Sequence, residues 1–350
     1  MIQHSIIIDT DPGIDDAMAI FYALGAPEID VVGITTVFGN APVEMTTRNA
    51  LSLLEIAGRP DIPVARGAAR PLASAYRGSV DHVHGADGQG NVALPPPAIE
   101  EDPRRATEFI IDTVRKRPGE ITLVTLGPLT NLALLLLERP EIARDVKGVV
   151  AMGGNLYVPG NASPAAEANT LNDPESADLV LQAPWPVTMC GLDVTHTITM
   201  TPADLDRIAG IDTPEGRHLA RILPFYHAFY ATHVGSNGIY VHDSTTISWL
   251  RHPDAFTVEK LPLTVETGDG VGRGKLRPFP VRTRDGGGDT DEGSTGVTDG
   301  GVEPVAEPTA GSRLPGDERR PVTYCTGADA RRLVEAEIAV LEGDAKAGRT

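Results

Sequence analysis

A chain of 350 residues that is 41% hydrophobic holds enough apolar surface for one large α/β domain. Its formal charge of −18, with no lysine and arginine cluster interleaved with aromatics, excludes DNA or RNA as a partner, and positive charge carried mostly by arginine suggests adaptation to high salt. The two cysteines, Cys190 and Cys325, lie far apart, fit no metal or CxxC spacing and read as reduced structural thiols.

The first residues run straight into an apolar strand at 5–8, with no basic n-region, apolar h-region or cleavage site ahead of it, which predicts a cytoplasmic protein. Runs rich in Val and Ile at 6–8, 31–36, 121–126, 148–152 and 186–191 have the composition of strands buried on both faces. Helical periodicity fills the intervals at 17–24, 43–57, 107–117 and 129–137. The alternation predicts a Rossmann-like, doubly wound, mostly parallel sheet with helices on both faces. The apolar run at 132–137 is far shorter than the roughly 20 residues that a membrane span needs, so no membrane partner is expected.

Residues 201–249 read as largely helical, and the aromatics of FYHAFYATH within them suit either a pocket or a core. Strand character returns at 261–265. Residues 285–320 are rich in Gly, Asp, Thr and Pro with almost no large apolar side chains, so burial cannot offset their ordering entropy and a disordered or weakly ordered insertion is expected. A strand near 322–324 and a helix over 328–341 follow, and residues 1–350 read as a single domain.

In doubly wound sheets ligands bind beyond the carboxyl ends of the strands. There the segment Asp9-Thr10-Asp11-Pro12-Gly13-Ile14-Asp15-Asp16 places four carboxylates in eight positions directly after an apolar strand. Like charges this close destabilise one another unless protons or a cation intervene, and hard oxygen ligands in this number suit Ca²⁺ or Mg²⁺. The competing reading is a solvated acidic turn that caps the next helix. A second polar cluster, Asn161, Glu167, Asn169 and Asp173, follows Met152-Gly153-Gly154 and has the amides and carboxylates that grip hydroxyl groups. A third, His242-Asp243, is either a helix cap or a proton donor beside a metal ligand. Asn40 and the pair His82 and His84 also stand beyond strand ends.

Taken in order, DTDPGIDDA, ITTVFGN, HVHGADG, GPLTN, MGGN with its later EAN, and VHD resemble the inosine-uridine preferring nucleoside hydrolases over about residues 4–265. That resemblance implies calcium-dependent hydrolysis of ribonucleosides to base and ribose, in nucleoside catabolism or salvage, by a homodimer or homotetramer. It implies that Asp11, Asp16 and Asp243 ligate Ca²⁺ by their side chains and Leu126 by its backbone carbonyl. Asp15, Asn40 and Asn169 would bind the ring hydroxyls, with Asn161 and Glu167 on the 5′-hydroxyl. Met152 fits the place beneath the ribose, although a structural methionine fits equally. His242 would sit next to the base, and base preference would lie in the loop around His82 and the helices from Phe225 to Tyr240.

Cleaving an N-glycosidic bond develops positive charge on the ribose, so anionic groups beneath the sugar favour the transition state over the neutral substrate. Asp11 is the expected general base, and His242 the expected proton donor to the leaving base. Two other readings compete: a non-catalytic nucleoside or sugar sensor, and a Mg²⁺-dependent phosphatase with an Asp nucleophile, which Asp9-Thr10-Asp11 imitates. The latter lacks its Gly-Thr after the second Asp, and Pro12-Gly13 with Asp15-Asp16 does not suit it.

Overall fold

The computed structural model describes residues 2–279 and 319–343, so all but the last two residues of the expected insertion at 285–320 lie outside the described residues. The first half alternates strand and helix: β1 (His4–Thr10), α1 (Ile14–Gly25), β2 (Ile29–Thr36), α2 (Val43–Ile56), β3 (Val64–Arg66), α3 (Asp81–His84) and α4 (Ala106–Lys116). It continues through β4 (Ile121–Thr125), α5 (Thr130–Glu138), β5 (Gly148–Met152), α6 (Ala168–Asn172), α7 (Pro174–Gln182) and β6 (Val187–Cys190). The second half holds α8 (Leu192–Thr195), β7 (Thr199–Met200), α9 (Pro202–Ala209), α10 (Pro214–Phe229), β8 (Ile239–Tyr240) and α11 (Ser244–Arg251). Last come β9 (Phe256–Leu261), β10 (Leu263–Val265), β11 (Leu276–Pro278), β12 (Val322–Ala328) and α12 (Ala330–Leu341).

The strands of the main sheet run β3-β2-β1-β4-β5-β6-β12-β9, all parallel except β9, which pairs antiparallel with β12. The order reverses between β1 and β4, and there the connections leave for opposite faces and open a crevice at the strands' carboxyl ends. β1 alternates its burial between two cores: Ile6 and Ile8 pack with α1, α10, α11 and α12, whereas Ile7 packs with α4, α5 and α7. Both faces of the sheet are therefore covered, as the unbroken apolar runs require.

Two expectations shift. α1 begins at Ile14 rather than 17, because the Asp16 carboxylate accepts the Gly13 N–H at 2.8 Å and caps the helix a turn earlier. The single strand expected at 261–265 is two strands divided at Pro262: β9 joins the main sheet, and β10 forms a separate hairpin with β11. Residues 201–249 are largely helical, as expected, but β8 interrupts them by pairing with β7. No helix among the described residues is long and apolar enough to cross a membrane.

Candidate active site

The turn after β1 enters the crevice between β1 and β4. Asp11 is 2% exposed, and its carboxylate lies between Gly39 and Gly127, at neither of which a Cβ fits without striking it. Its Oδ2 accepts the Asn40 N–H at 2.7 Å, while Oδ1 is buried with no partner. Asp16, fully buried at the first turn of α1, accepts from the Thr10 hydroxyl at 2.5 Å and the Asn40 side-chain amide at 3.0 Å. Asp15 accepts the Tyr226 hydroxyl at 3.0 Å through Oδ2 and leaves a buried Oδ1 without a partner.

Asp243, the residue before α11, closes a group of three: one carboxylate oxygen from each of Asp15, Asp16 and Asp243 lies within 4.8 Å of the others, while Asp11 stands outside that trio but close enough for its charge to bear on Asp243 and Asp16. Burial, followed by repulsion from neighbouring carboxylates, pushes Asp11 and Asp243 well above the ordinary carboxylate range. Asp15 and Asp16 are raised as well, also mainly by burial. Among the described residues no lysine or arginine pairs with these four acids. His84 Nδ1 comes within 3.8 Å of Asp15, but burial pushes this histidine down to about 4 and Nδ1 accepts the Ile14 N–H at 3.2 Å. That approach is therefore not an ion pair, and among the described residues the quartet lacks a counter-charge.

Asp9 stands apart from the quartet. Its Oδ1 accepts Thr35 Oγ1 at 2.5 Å and Asn131 Nδ2 at 2.7 Å, and burial pushes it up to about 6. It braces β1 against β2 and α5.

Beside the quartet, Asn169 directs its side-chain amide at the Leu126 carbonyl (2.6 Å) and the Met152 carbonyl (3.2 Å), with Met152 Sδ at 3.5 Å. The Leu126 carbonyl is thus engaged by Asn169. Glu167, 1% exposed, accepts the N–H groups of Gly154, Asn169 and Thr170 at 2.8 to 3.0 Å and caps α6. Asn161 is exposed on the same loop and accepts the Ala168 N–H at 3.0 Å. Asp173, the fourth member of that sequence cluster, is structural: it binds Leu72 N–H and Thr130 Oγ1 and caps α7.

On the other side, His242 is buried with Nδ1 2.8 Å from Thr195 Oγ1 and Nε2 2.9 Å from the Tyr230 hydroxyl. The Tyr230 hydroxyl is 3.4 Å from that of Tyr226, which bonds Asp15. Burial, then the neighbouring His196, pushes His242 down to about 3, so its resting ring is neutral. His82 is exposed at the rim, edge-on to Phe229 at 5.8 Å. The sequence alone assigns Thr195 no role and leaves Tyr226 and Tyr230 equally suited to pocket or core. Their spacing of four residues, which puts both on one face of α10 and the turn after it, was the available signal.

The family described as inosine-uridine preferring nucleoside hydrolase matches residues 6–335. The chain is 45% identical over 273 residues to "Probable uridine nucleosidase 2" of Arabidopsis thaliana, covering 78% of this chain and 84% of that protein. It is 43% identical over 265 residues to the inosine-uridine preferring nucleoside hydrolase of Leishmania major, covering 75% and 83%. Among solved structures, a plant nucleoside hydrolase superposes with a TM-score of 0.84 at 34% identity, covering 97% of this chain and 99% of its own. A crevice of buried acids at the β1/β4 reversal and agreement over nearly the whole length place the chain in the inosine-uridine preferring nucleoside hydrolase family, as a ribonucleoside N-glycosidase.

Proposed function

We propose that the enzyme hydrolyses ribonucleosides in a calcium-dependent reaction, with Asp11 as general base. The observation that carries this reading is the buried acidic quartet, which among the described residues has no counter-charge and no partner for Asp11 Oδ1 or Asp15 Oδ1. An all-oxygen donor set suits a hard divalent cation, so the residues fit Ca²⁺. Asp11, Asp16, Asp243 and the Leu126 carbonyl would hold it, Asn169 turning from that carbonyl to the substrate. Bound there, Ca²⁺ supplies charge that orients hydroxyl groups and makes a neighbouring water more acidic.

The chain's own residues do the rest. Asp11 takes the proton of the attacking water as it approaches C1′. Asp15, Asn40 and Asn169 grip the ring hydroxyls, Met152 lies beneath the ribose, and Glu167 with Asn161 accepts the 5′-hydroxyl. These anionic and dipolar groups stabilise positive charge on the sugar more than they stabilise the neutral substrate. At the far end the base faces His242, Tyr226 and Tyr230, with His82 over the entrance. Because the resting His242 ring is neutral, a proton for the leaving base passes through the ring rather than starting on it. Two relatives named for uridine make uridine the first substrate to try. A cytoplasmic homodimer or homotetramer completes the reading.

The test is ribose release from inosine, adenosine, uridine and cytidine at low and high salt, with and without a calcium chelator. Release that stops on chelation and returns with calcium is the expected result. Release unaffected by chelation overturns the metal assignment, and no release by folded protein overturns the activity.

A further inference from the structure

A single turn after β6 ties together the two ends of the crevice. Asp193, 7% exposed on α8, holds three donors at once: the Leu156 N–H at 2.8 Å, the Tyr157 N–H at 2.7 Å and the Tyr324 hydroxyl at 2.5 Å. Leu156 and Tyr157 open the loop that carries Asn161 and ends at Glu167. Two residues beyond Asp193, Thr195 reaches His242 Nδ1 at 2.8 Å. The turn itself is fixed to the same loop, because Leu192 N–H bonds the Gly154 carbonyl at 2.8 Å. A side chain at Gly191 would strike that carbonyl and the Tyr324 hydroxyl, so the two segments approach as closely as backbone allows. Lys275 adds a further tie by bonding the Val158 carbonyl at 3.1 Å.

We infer that Asp193 is a positioning residue: through Leu156 and Tyr157 it sets the loop that grips the substrate's 5′-hydroxyl, and through Thr195 it fixes that loop's distance from His242. The inference rests on the nucleoside-hydrolysing reading. A carboxylate that accepts from two consecutive backbone N–H groups makes charge-assisted bonds, stronger than neutral ones and directional. Asparagine cannot replace it, since its NH₂ would face one of the N–H groups.

The test measures kcat and KM for uridine and 5′-deoxyuridine, with calcium present, for wild type, Asp193→Asn, Tyr324→Phe and Thr195→Val. For Asp193→Asn, kcat/KM on uridine should fall about 10-fold, mainly through KM, the scale expected for losing one charged hydrogen bond. On 5′-deoxyuridine, which lacks the group the loop holds, the fall should be much smaller, so the preference for the 5′-hydroxyl collapses. Tyr324→Phe should move both in the same direction by less, and it carries the test if Asp193→Asn does not fold. Thr195→Val should lower kcat equally on both substrates.

Equal losses of Asp193→Asn or Tyr324→Phe on the two substrates would mark a merely structural residue and overturn the inference. Hydrogen exchange separates this outcome from failure of the activity itself. Asp193→Asn should speed exchange at residues 156–167 while leaving β4 unchanged. Wild type inert on both nucleosides overturns the activity reading, and unchanged exchange in the loop overturns the role of Asp193.

Discussion

The Tyr226 hydroxyl donates to Asp15 Oδ2 at 3.0 Å, and because a phenol has one hydrogen to give, that bond orients every hydrogen bond from Asp15 back to Thr195. Tyr226 gives its hydrogen to Asp15 and so accepts from Tyr230, and Tyr230 accepts from His242 Nε2–H. His242 Nδ1 then accepts from the Thr195 hydroxyl. The ring is thus a neutral Nε2–H tautomer, in agreement with its depressed pKa.

Removing this ring should expose how each base leaves. His242→Ala is expected to slow purine nucleosides by about 10²-fold or more, and substrates with better leaving groups by less. Equal losses across a nucleoside panel would remove His242 from leaving-group protonation. In wild type, an inflection of kcat/KM near 6.5 that vanishes in His242→Ala would contradict the neutral ring, since its pKa is pushed down to about 3.

Asp11, as the proposed general base, should separate catalysis from folding. Asp11→Ala should lower kcat by about 10³-fold, within the range for losing a general base, at every base tested. The variant loses one of four buried like charges, one oxygen of which has no partner in the protein. In chelator it should therefore melt no lower than wild type, whereas with calcium wild type should melt higher. Residual turnover within 10-fold of wild type would take the base role away from Asp11.

The parts of this architecture legible in the sequence were those with one physical cause. Strands buried on both faces must be apolar throughout, so β1, β2, β4, β5 and β6 announced themselves, and the acids after β1 marked the crevice. β9 did not, because Thr257 to Lys260 are exposed at the sheet edge and hold a single apolar residue, Val258. Asp9 shows that proximity in sequence alone does not put a carboxylate in the site. It shares the strand face of Ile7, in the core opposite that of Ile6 and Ile8, so it braces the sheet instead of joining Asp11. Tyr226 and Tyr230 are buried whether they serve core or site, and only the partners of their hydroxyls decide between the two.

Calcium and pH should act on stability together. Asp11, Asp15, Asp16 and Asp243 all have folded pKa values raised above 3.8, so their contribution to stability without metal is full below the unfolded value and is lost as pH rises through the folded values. Calcium needs the ionised forms and relieves their repulsion. The rise in Tm on adding calcium should therefore be larger at pH 8 than at pH 5. A rise that is equal at both, or larger at pH 5, would mean that the quartet is not the binding site.

Glu337 offers a second pH effect, away from the quartet. It is 1% exposed on α12, where Oε1 accepts the Ser244 hydroxyl at 2.7 Å, one residue after Asp243. Burial pushes it from 4.5 up to about 7, with the Ser244 hydrogen bond and then the Arg251 charge pulling the other way. The folded state thus binds this proton more tightly than the unfolded chain, and stability is lost as pH climbs from the unfolded value through the folded one. A rise of that size corresponds to roughly 3 kcal/mol once the carboxyl is fully ionised. Glu337→Gln keeps an oxygen for Ser244 and removes the ionisation. Compared with wild type in chelator, it should unfold at the same temperature near pH 4.5 and at a higher one at pH 8. A variant that is destabilised equally at both pH values would show that the charged form of Glu337 is the one the fold requires.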